Sequence, residues 1–262
     1  MGILNVTPDS FSDGGLYRDC RSAIEQGLAL AAAGADLVDI GGESTRPGAK
    51  APGIAEELDR VMPVLEGLRS AADVLISVDT SEPAVMAAAV AAGADMLNDV
   101  RALGRPGALS AAAAAGVPVC LMHMQGTPAT MQREPHYQDV VGEVLAFLLE
   151  RVAVCVVAGL PRASLILDPG FGFGKTLAHN LALLQHLDDL VATGLPVLAG
   201  LSRKSMIGQL AGEPGGVPAD RLGGSVALAL VARARGARIV RVHDVAATVQ
   251  AFRVMDGLEN RS

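Results

Sequence analysis

Eight times along the chain a short apolar run gives way to a polar loop and then to an Ala- or Leu-rich amphipathic stretch. The apolar runs are Met1–Val6, Asp36–Ile40, Val74–Asp79, Met96–Asp99, Val117–Met122, Ser164–Asp168, Val197–Leu201 and Ile239–His243. Most are continuously apolar rather than alternating, as parallel strands are when helices cover them. The helical patterns between them are Arg18–Ala33, Ile54–Ser70, Pro83–Ala92, Pro106–Ala115, Asp139–Ala158, Leu177–Val191, Asp220–Arg235 and Asp244–Leu258. Gly34, Gly93, Gly116, Gly159, Gly194 and Gly236 each close an amphipathic stretch just before the next apolar run. Glycine belongs there because it turns left-handed past a helix end without a Cβ clash. Eight strand–helix alternations in 262 residues match the count and length of an α/β fold of the TIM (β/α)8 barrel type. The rival, an open doubly wound sheet, usually carries a glycine fingerprint after its first strand, and none stands there. No linker or low-complexity piece divides residues 1–262, so one barrel domain is expected, with Gly212–Pro218 as a loop.

Composition narrows the function. Half the residues are hydrophobic, enough for a large core, and aromatics are only 3%, which disfavours a β-sandwich. The net charge is −7 with no concentrated basic cluster, so no nucleic-acid partner is expected. Cys20, Cys120 and Cys155 are far apart and not in CxxC spacing. That argues against disulfides and a cysteine zinc site, and for a reducing, cytoplasmic setting. The most apolar long segment, Val140–Ala158, contains Glu143, Glu150 and Arg151, too many charges for a membrane span. No basic leader precedes the first strand, so no signal peptide is expected.

In a barrel the chemistry sits where strand C-termini meet their loops. Those positions here are Asn5, Glu43 to Arg46, Asp79, Asn98, His123, Asp168, Ser202 to Lys204, and Arg241 with His243. Asp79 or Asn98 alone could simply cap the following helix. A polar residue at nearly every strand end is harder to explain that way, because buried polar groups cost free energy unless satisfied. Other patterns fail. Pro169 to Thr176 lacks the first glycine of a phosphate-binding P-loop, and Lys175 and Leu177 break GxGxxG. The five histidines show no metal-binding spacing, and His136, His179 and His186 read as surface or capping residues.

Two chemical sets emerge. Arg241 and His243 are two apart on the last strand and face one way, and His243 and Asp244 open the last helix, a place for an anion. Thr45 and Arg46 could complete such a site, and the neutral oxygen of Asn5 could ligate Mg²⁺ bridging a diphosphate. Asp79, Asn98, Asp168 and Lys204 suit a flat heterocycle with paired N–H donors and a carbonyl. The residues alone therefore describe a barrel enzyme for a polar, phosphate-bearing ring, without naming the ring.

Eight blocks then resemble the bacterial dihydropteroate synthases: NVTPDSFSDGG from Asn5, GGESTRPGA from Gly41, SVDTS from Ser77, LNDVR from Leu97, LMHMQG from Leu121, LDPGFGFGK from Leu167, GLSRKSMIG from Gly200 and RVHD from Arg241. They stand in the family's order from Met1 to about Met255. The family condenses 6-hydroxymethyl-7,8-dihydropterin diphosphate with 4-aminobenzoate in folate biosynthesis and is the sulfonamide target. The resemblance implies a pterin site of Asp79, Asn98, Asp168, Lys204, Phe173 and Arg241, with Arg241 stacked on the ring. It implies a diphosphate site of Asn5, Thr45, Arg241 and His243, with Mg²⁺ at Asn5. It implies a 4-aminobenzoate site of Phe11, Thr45, Arg46, Pro47 and Ser202, on two closing loops. The catalytic set would be Arg241, His243, Lys204 and Asp79, and the assembly a homodimer. Family members usually carry a further segment ahead of the first strand, where this sequence has Met1. Two other readings share the pterin pocket. A pterin-binding methyltransferase barrel leaves NVTPDSF and the anion set unexplained, and a non-catalytic paralogue has no need of the full catalytic set.

Overall fold

The computed structural model describes residues 1–6, 16–44 and 52–259. Phe11, Thr45, Arg46 and Pro47 lie outside the described residues. The strands are β1 (Gly2–Asn5), β2 (Leu37–Gly41), β3 (Leu75–Asp79), β4 (Met96–Asp99), β5 (Val119–Met122), β6 (Leu165–Asp168), β7 (Leu198–Ala199) and β8 (Ile239–Val240). The helices are α1 (Leu16–Ala32), α2 (Ile54–Ala71), α3 (Pro83–Ala91), α4 (Ala108–Ala115), α5 (Val140–Val157), α6 (Leu177–Gln185), α7 (Leu187–Val191), α8 (Ser205–Leu210), α9 (Leu222–Ala234) and α10 (Val245–Glu259).

Strands β1 to β6 pair in sequence order, all parallel, and β7 pairs with β8. Parallel bridges Leu167↔Val197 and Gly2↔Val242 join the two pieces. The Ile3 amide donates to the Val242 carbonyl at 3.0 Å, and the Leu167 amide to the Pro196 carbonyl at 2.9 Å. The eight strands therefore close into the ring expected from the alternation. All six helix-ending glycines are left-handed, with φ from +69° to +100°.

Three details differ from the sequence reading. The last two strands are short: β7 and β8 pair over two residues, and beyond them Val242 bridges to β1 instead of extending the β7 pairing. The helix expected over Leu177–Val191 breaks at His186, with Leu183 and Leu184 buried before the break and Leu187 and Leu190 after it. Packing sets that bend, since no glycine or proline marks it. Helix α8 has six residues, too few to carry a periodic signal.

The interior is layered by polarity. Leu37, Met96, Cys120, Ile166 and Leu198 form a buried cluster towards the strand N-termini. Above it the register sets Asn5 beside Gly41, Gly41 beside Asp79, and Asp79 beside Asn98. Cys120 and Cys155 are free and buried, acting as small apolar residues. No described helix is long and apolar enough to cross a membrane.

Candidate active site

Polar side chains from four strands meet at the C-terminal mouth. Arg241, just past β8, reaches across the ring: its Nε donates to Asp39 Oδ2 at 2.6 Å and its Nη2 to Asp79 Oδ2 at 3.1 Å. Asn98 Nδ2 donates to the same Asp39 oxygen at 3.2 Å. Since β8 and β3 are not neighbours in the ring, these bonds span the barrel interior. Neither Asp79 nor Asn98 caps a helix; the α3 N-cap is Glu82, without a side-chain cap bond. Burial, against the pull of Arg241 and with the help of Asp39, pushes the Asp79 carboxyl up to about 8. Burial also works against the Arg241 charge, but Asp39 and Asp79 together outweigh it and raise its pKa.

Asp168 ends β6 and accepts from the Gly170 amide at 2.7 Å. Burial raises its carboxyl, and Lys204 partly offsets this. Lys204 lies 4.9 Å from the centre of the Phe173 ring and donates to the Phe171 carbonyl. Burial brings its ammonium down to about 8. Phe173 stands half-buried beneath that charge, a cation–π contact that fixes both.

The segment carrying Phe171 and Phe173 is locked by Lys175. Its Nζ is 2.9 Å from His123 Nδ1 and donates to the Gly170 and Phe173 carbonyls at 3.0 Å each. The P-loop look-alike is thus a clip between the ends of β5 and β6. Burial, with Lys175 alongside, brings His123 down to about 3, so its ring is neutral. His179 caps α6 through Thr176, and His136 and His186 are exposed, as their sequence positions suggested.

On the far side of the mouth, Ser202 Oγ lies 3.0 Å from His243 Nδ1 and accepts from the His243 amide at 3.2 Å. The hydroxyl and the ring are thus hydrogen-bonded to each other at Nδ1, and Nε2 is the nitrogen this pair leaves uncommitted. Burial, with Arg203 and Arg241 nearby, brings this ring down to about 4. Asp244 is held by Arg203 in a two-bond pair of 3.0 and 2.6 Å. Just ahead of the helix opening predicted for an anion, the His243 amide is therefore on Ser202 and the Asp244 carboxylate on Arg203.

Asn5 is placed by an absence. A Cβ at Gly41 would stand 3.7 Å from Asn5 Oδ1 and 3.6 Å from Asp79 Cβ, so glycine keeps the space between those two side chains open. A single neutral oxygen beside open space fits a magnesium ion that arrives with phosphates and keeps its waters. Among the described residues no group of three or more His, Cys, Asp or Glu could hold a metal unaided.

The structure thus brings Arg241 into direct contact with Asp79, links Asn98 to Arg241 through Asp39, and sets Lys204 onto Phe173 and Ser202 onto His243. Sequence reasoning missed Asp39, a carboxylate inside an apolar strand whose composition was its one signal. It also missed a buried network at the foot of the second loop. There Arg101 makes a two-bond pair with Glu43 at 3.0 and 2.7 Å and donates to Ser81 at 2.9 Å, while Ser81 donates to Asp99.

The model of the pterin binding enzyme family matches residues 1–243. The chain is 52% identical to the dihydropteroate synthase of Escherichia coli K12 over 98% of its own length and 90% of that protein. It superposes with a TM-score of 0.93 on Xanthomonas albilineans dihydropteroate synthase with 4-aminobenzoic acid, at 56% identity, covering 99% of this chain and 92% of that one. It superposes equally well, at 0.93, on the Yersinia pestis enzyme in complex with a sulfonamide drug, at 52% identity, covering 99% and 94%.

Proposed function

The chain belongs to the pterin binding enzymes, and on that footing we infer that it condenses 6-hydroxymethyl-7,8-dihydropterin diphosphate with 4-aminobenzoate, releasing 7,8-dihydropteroate and diphosphate. The observation that carries the reading beyond the family is the polar ring of Arg241, Asp79 and Asn98 with Asp168 and Lys204 at the barrel mouth. Such a ring offers carboxylate and amide acceptors, an ammonium donor and a flat guanidinium, the complement of a planar heterocycle with N–H donors and a carbonyl.

In this reading Asp79, Asn98, Asp168 and Lys204 bind the pterin edge, Phe173 walls it and Arg241 covers its face. The CH₂–O bond breaks and its electron pair leaves with the diphosphate. Arg241 and the imidazole of His243 stabilise that leaving group, with Asn5 and Thr45 at the same end. Mg²⁺, held by Asn5 and the diphosphate oxygens, would add Lewis-acid stabilisation there. The aryl amine, bound by Phe11, Thr45, Arg46, Pro47 and Ser202, forms the new C–N bond and releases a proton. It is neutral at pH 7, so no strong base is needed. A sulfonamide would compete at the same place. The whole chain as one barrel domain, a cytoplasmic location and a homodimer belong to the same reading, the last tested by light scattering.

Diphosphate release is the decisive assay. Release that requires 4-aminobenzoate, with dihydropteroate appearing in step, is expected. Tight pterin binding without product would instead favour a non-catalytic paralogue, and binding of a methylated folate the methyltransferase. Arg241→Ala should stay folded and lose at least about 100-fold in turnover; full activity in that variant would remove the leaving-group role.

A further inference from the structure

Asp39 is a fully buried carboxylate, with 0% exposure, and it lies in the middle of β2 between Ile3 and Ser77 in register. The layer beneath it is built from Leu37, Met96, Ile166 and Leu198. A leucine or methionine at position 39 would continue that layer without the desolvation cost of a carboxylate. The charge is not spent on closing the fold either. Both bonds it accepts fall on one oxygen, from Arg241 Nε at 2.6 Å and Asn98 Nδ2 at 3.2 Å. Its other oxygen, Oδ1, is buried with no partner among the described residues.

What those two bonds do is orient. With Nδ2 tied to Asp39, the Asn98 amide has one sense, and its carbonyl oxygen is left to accept from a ligand. With Nε tied to Asp39 and Nη2 to Asp79, the guanidinium plane of Arg241 is pinned by two points on different strands. A carboxylate accepts from both the arginine and the amide NH₂ on one oxygen while balancing the arginine's charge; an asparagine carbonyl could accept the same two bonds but would not balance that charge.

We propose that Asp39 is a positioning residue for pterin recognition, setting the amide sense of Asn98 and the plane of Arg241 from beneath the site. The proposal rests on the pterin-binding reading above.

The test measures calorimetric affinity for the pterin diphosphate, both Michaelis constants and melting temperature for the wild type, Asp39→Asn and Ser77→Ala. Ser77 is the buried register neighbour of Asp39 and its Oγ has no partner among the described residues, so it serves as the packing control. Asp39→Asn should raise Kd and KM for the pterin diphosphate by roughly tenfold, the difference between orienting bonds to a charged and to a neutral acceptor. The KM for 4-aminobenzoate and the melting temperature should hold, and Ser77→Ala should leave pterin affinity within about twofold. An unchanged pterin KM in Asp39→Asn would overturn the proposal. So would a parallel rise in both KM values with a lowered melting temperature, or an equal loss in Ser77→Ala. Should Asp39→Asn not fold, the smaller Asp39→Ser takes its place; failure of both would assign Asp39 to the fold rather than the site. A wild type that does not bind the pterin diphosphate at all would sink the functional reading itself, whereas binding that Asp39→Asn leaves intact sinks only the Asp39 assignment.

Discussion

At the scale of single residues, the site works through protonation states that burial sets. Asp79, pushed up to about 8, carries a proton at neutral pH in the free protein. A ligand N–H placed on that carboxyl favours its ionised form. Pterin binding near pH 7 should therefore release about one proton and tighten as pH rises from 6 towards 8. Calorimetry in buffers of different ionisation enthalpy reads the proton count, and Asp79→Asn should abolish the release. His123 has the opposite kind of consequence, for stability. The folded protein keeps its ring neutral down to about pH 3, whereas the unfolded chain takes up a proton near its ordinary value of 6.5. This contribution to stability is complete above that ordinary value and is lost as pH falls. Between pH 7.5 and 5 the stability of the wild type relative to His123→Asn should fall by about 2 kcal/mol, measured by denaturant unfolding at the two pH values.

At the scale of elements, the decisive pieces are the turns that leave the strands. Gly170 (φ +68°) begins the clip held by Lys175, and a Cβ there would lie 1.9 Å from the His123 carbonyl oxygen. Gly194 (φ +77°) ends the α7 segment with nothing within 4 Å of the same position. The two sites separate steric clash from backbone preference. Gly194→Ala should cost about 1–2 kcal/mol for the left-handed conformation alone. Gly170→Ala should cost more than about 3 kcal/mol, or prevent folding, because the backbone of His123 cannot yield as a side chain would. Thermal melts of the two variants side by side make the comparison. Gly194 stands out in the sequence as a helix-ending glycine, whereas only the packed structure shows Gly170 jammed against a neighbour.

At the scale of the whole molecule, the barrel divides into an apolar floor and a polar mouth. Leu198 belongs to the floor and is fully buried. Leu198→Ala should lower stability by about 2–5 kcal/mol and leave both Michaelis constants unchanged, since the cavity opens below the site. A shift in either constant would mean that the floor and the mouth are mechanically coupled. Urea unfolding and steady-state kinetics on one preparation decide it.

The sequence by itself determined the ring. Eight apolar runs, the glycines that end the helices and the polar residue at each strand end follow from local rules, because a strand's burial and a helix's stop are written in neighbouring residues. The same local rules picked out Asp79, Asn98, Asp168, Lys204, Arg241 and His243 as strand-end chemistry. Tertiary structure alone decided who holds whom. Asp39 looks like an interruption in an apolar strand until Arg241, from 202 residues away, closes on it across the interior. The Ser202–His243 pair, which orients the imidazole, and the Arg101–Glu43 pair at the foot of the second loop are of the same kind. Such contacts join elements far apart in the chain, and their geometry depends on closing the barrel, which no short stretch of sequence encodes.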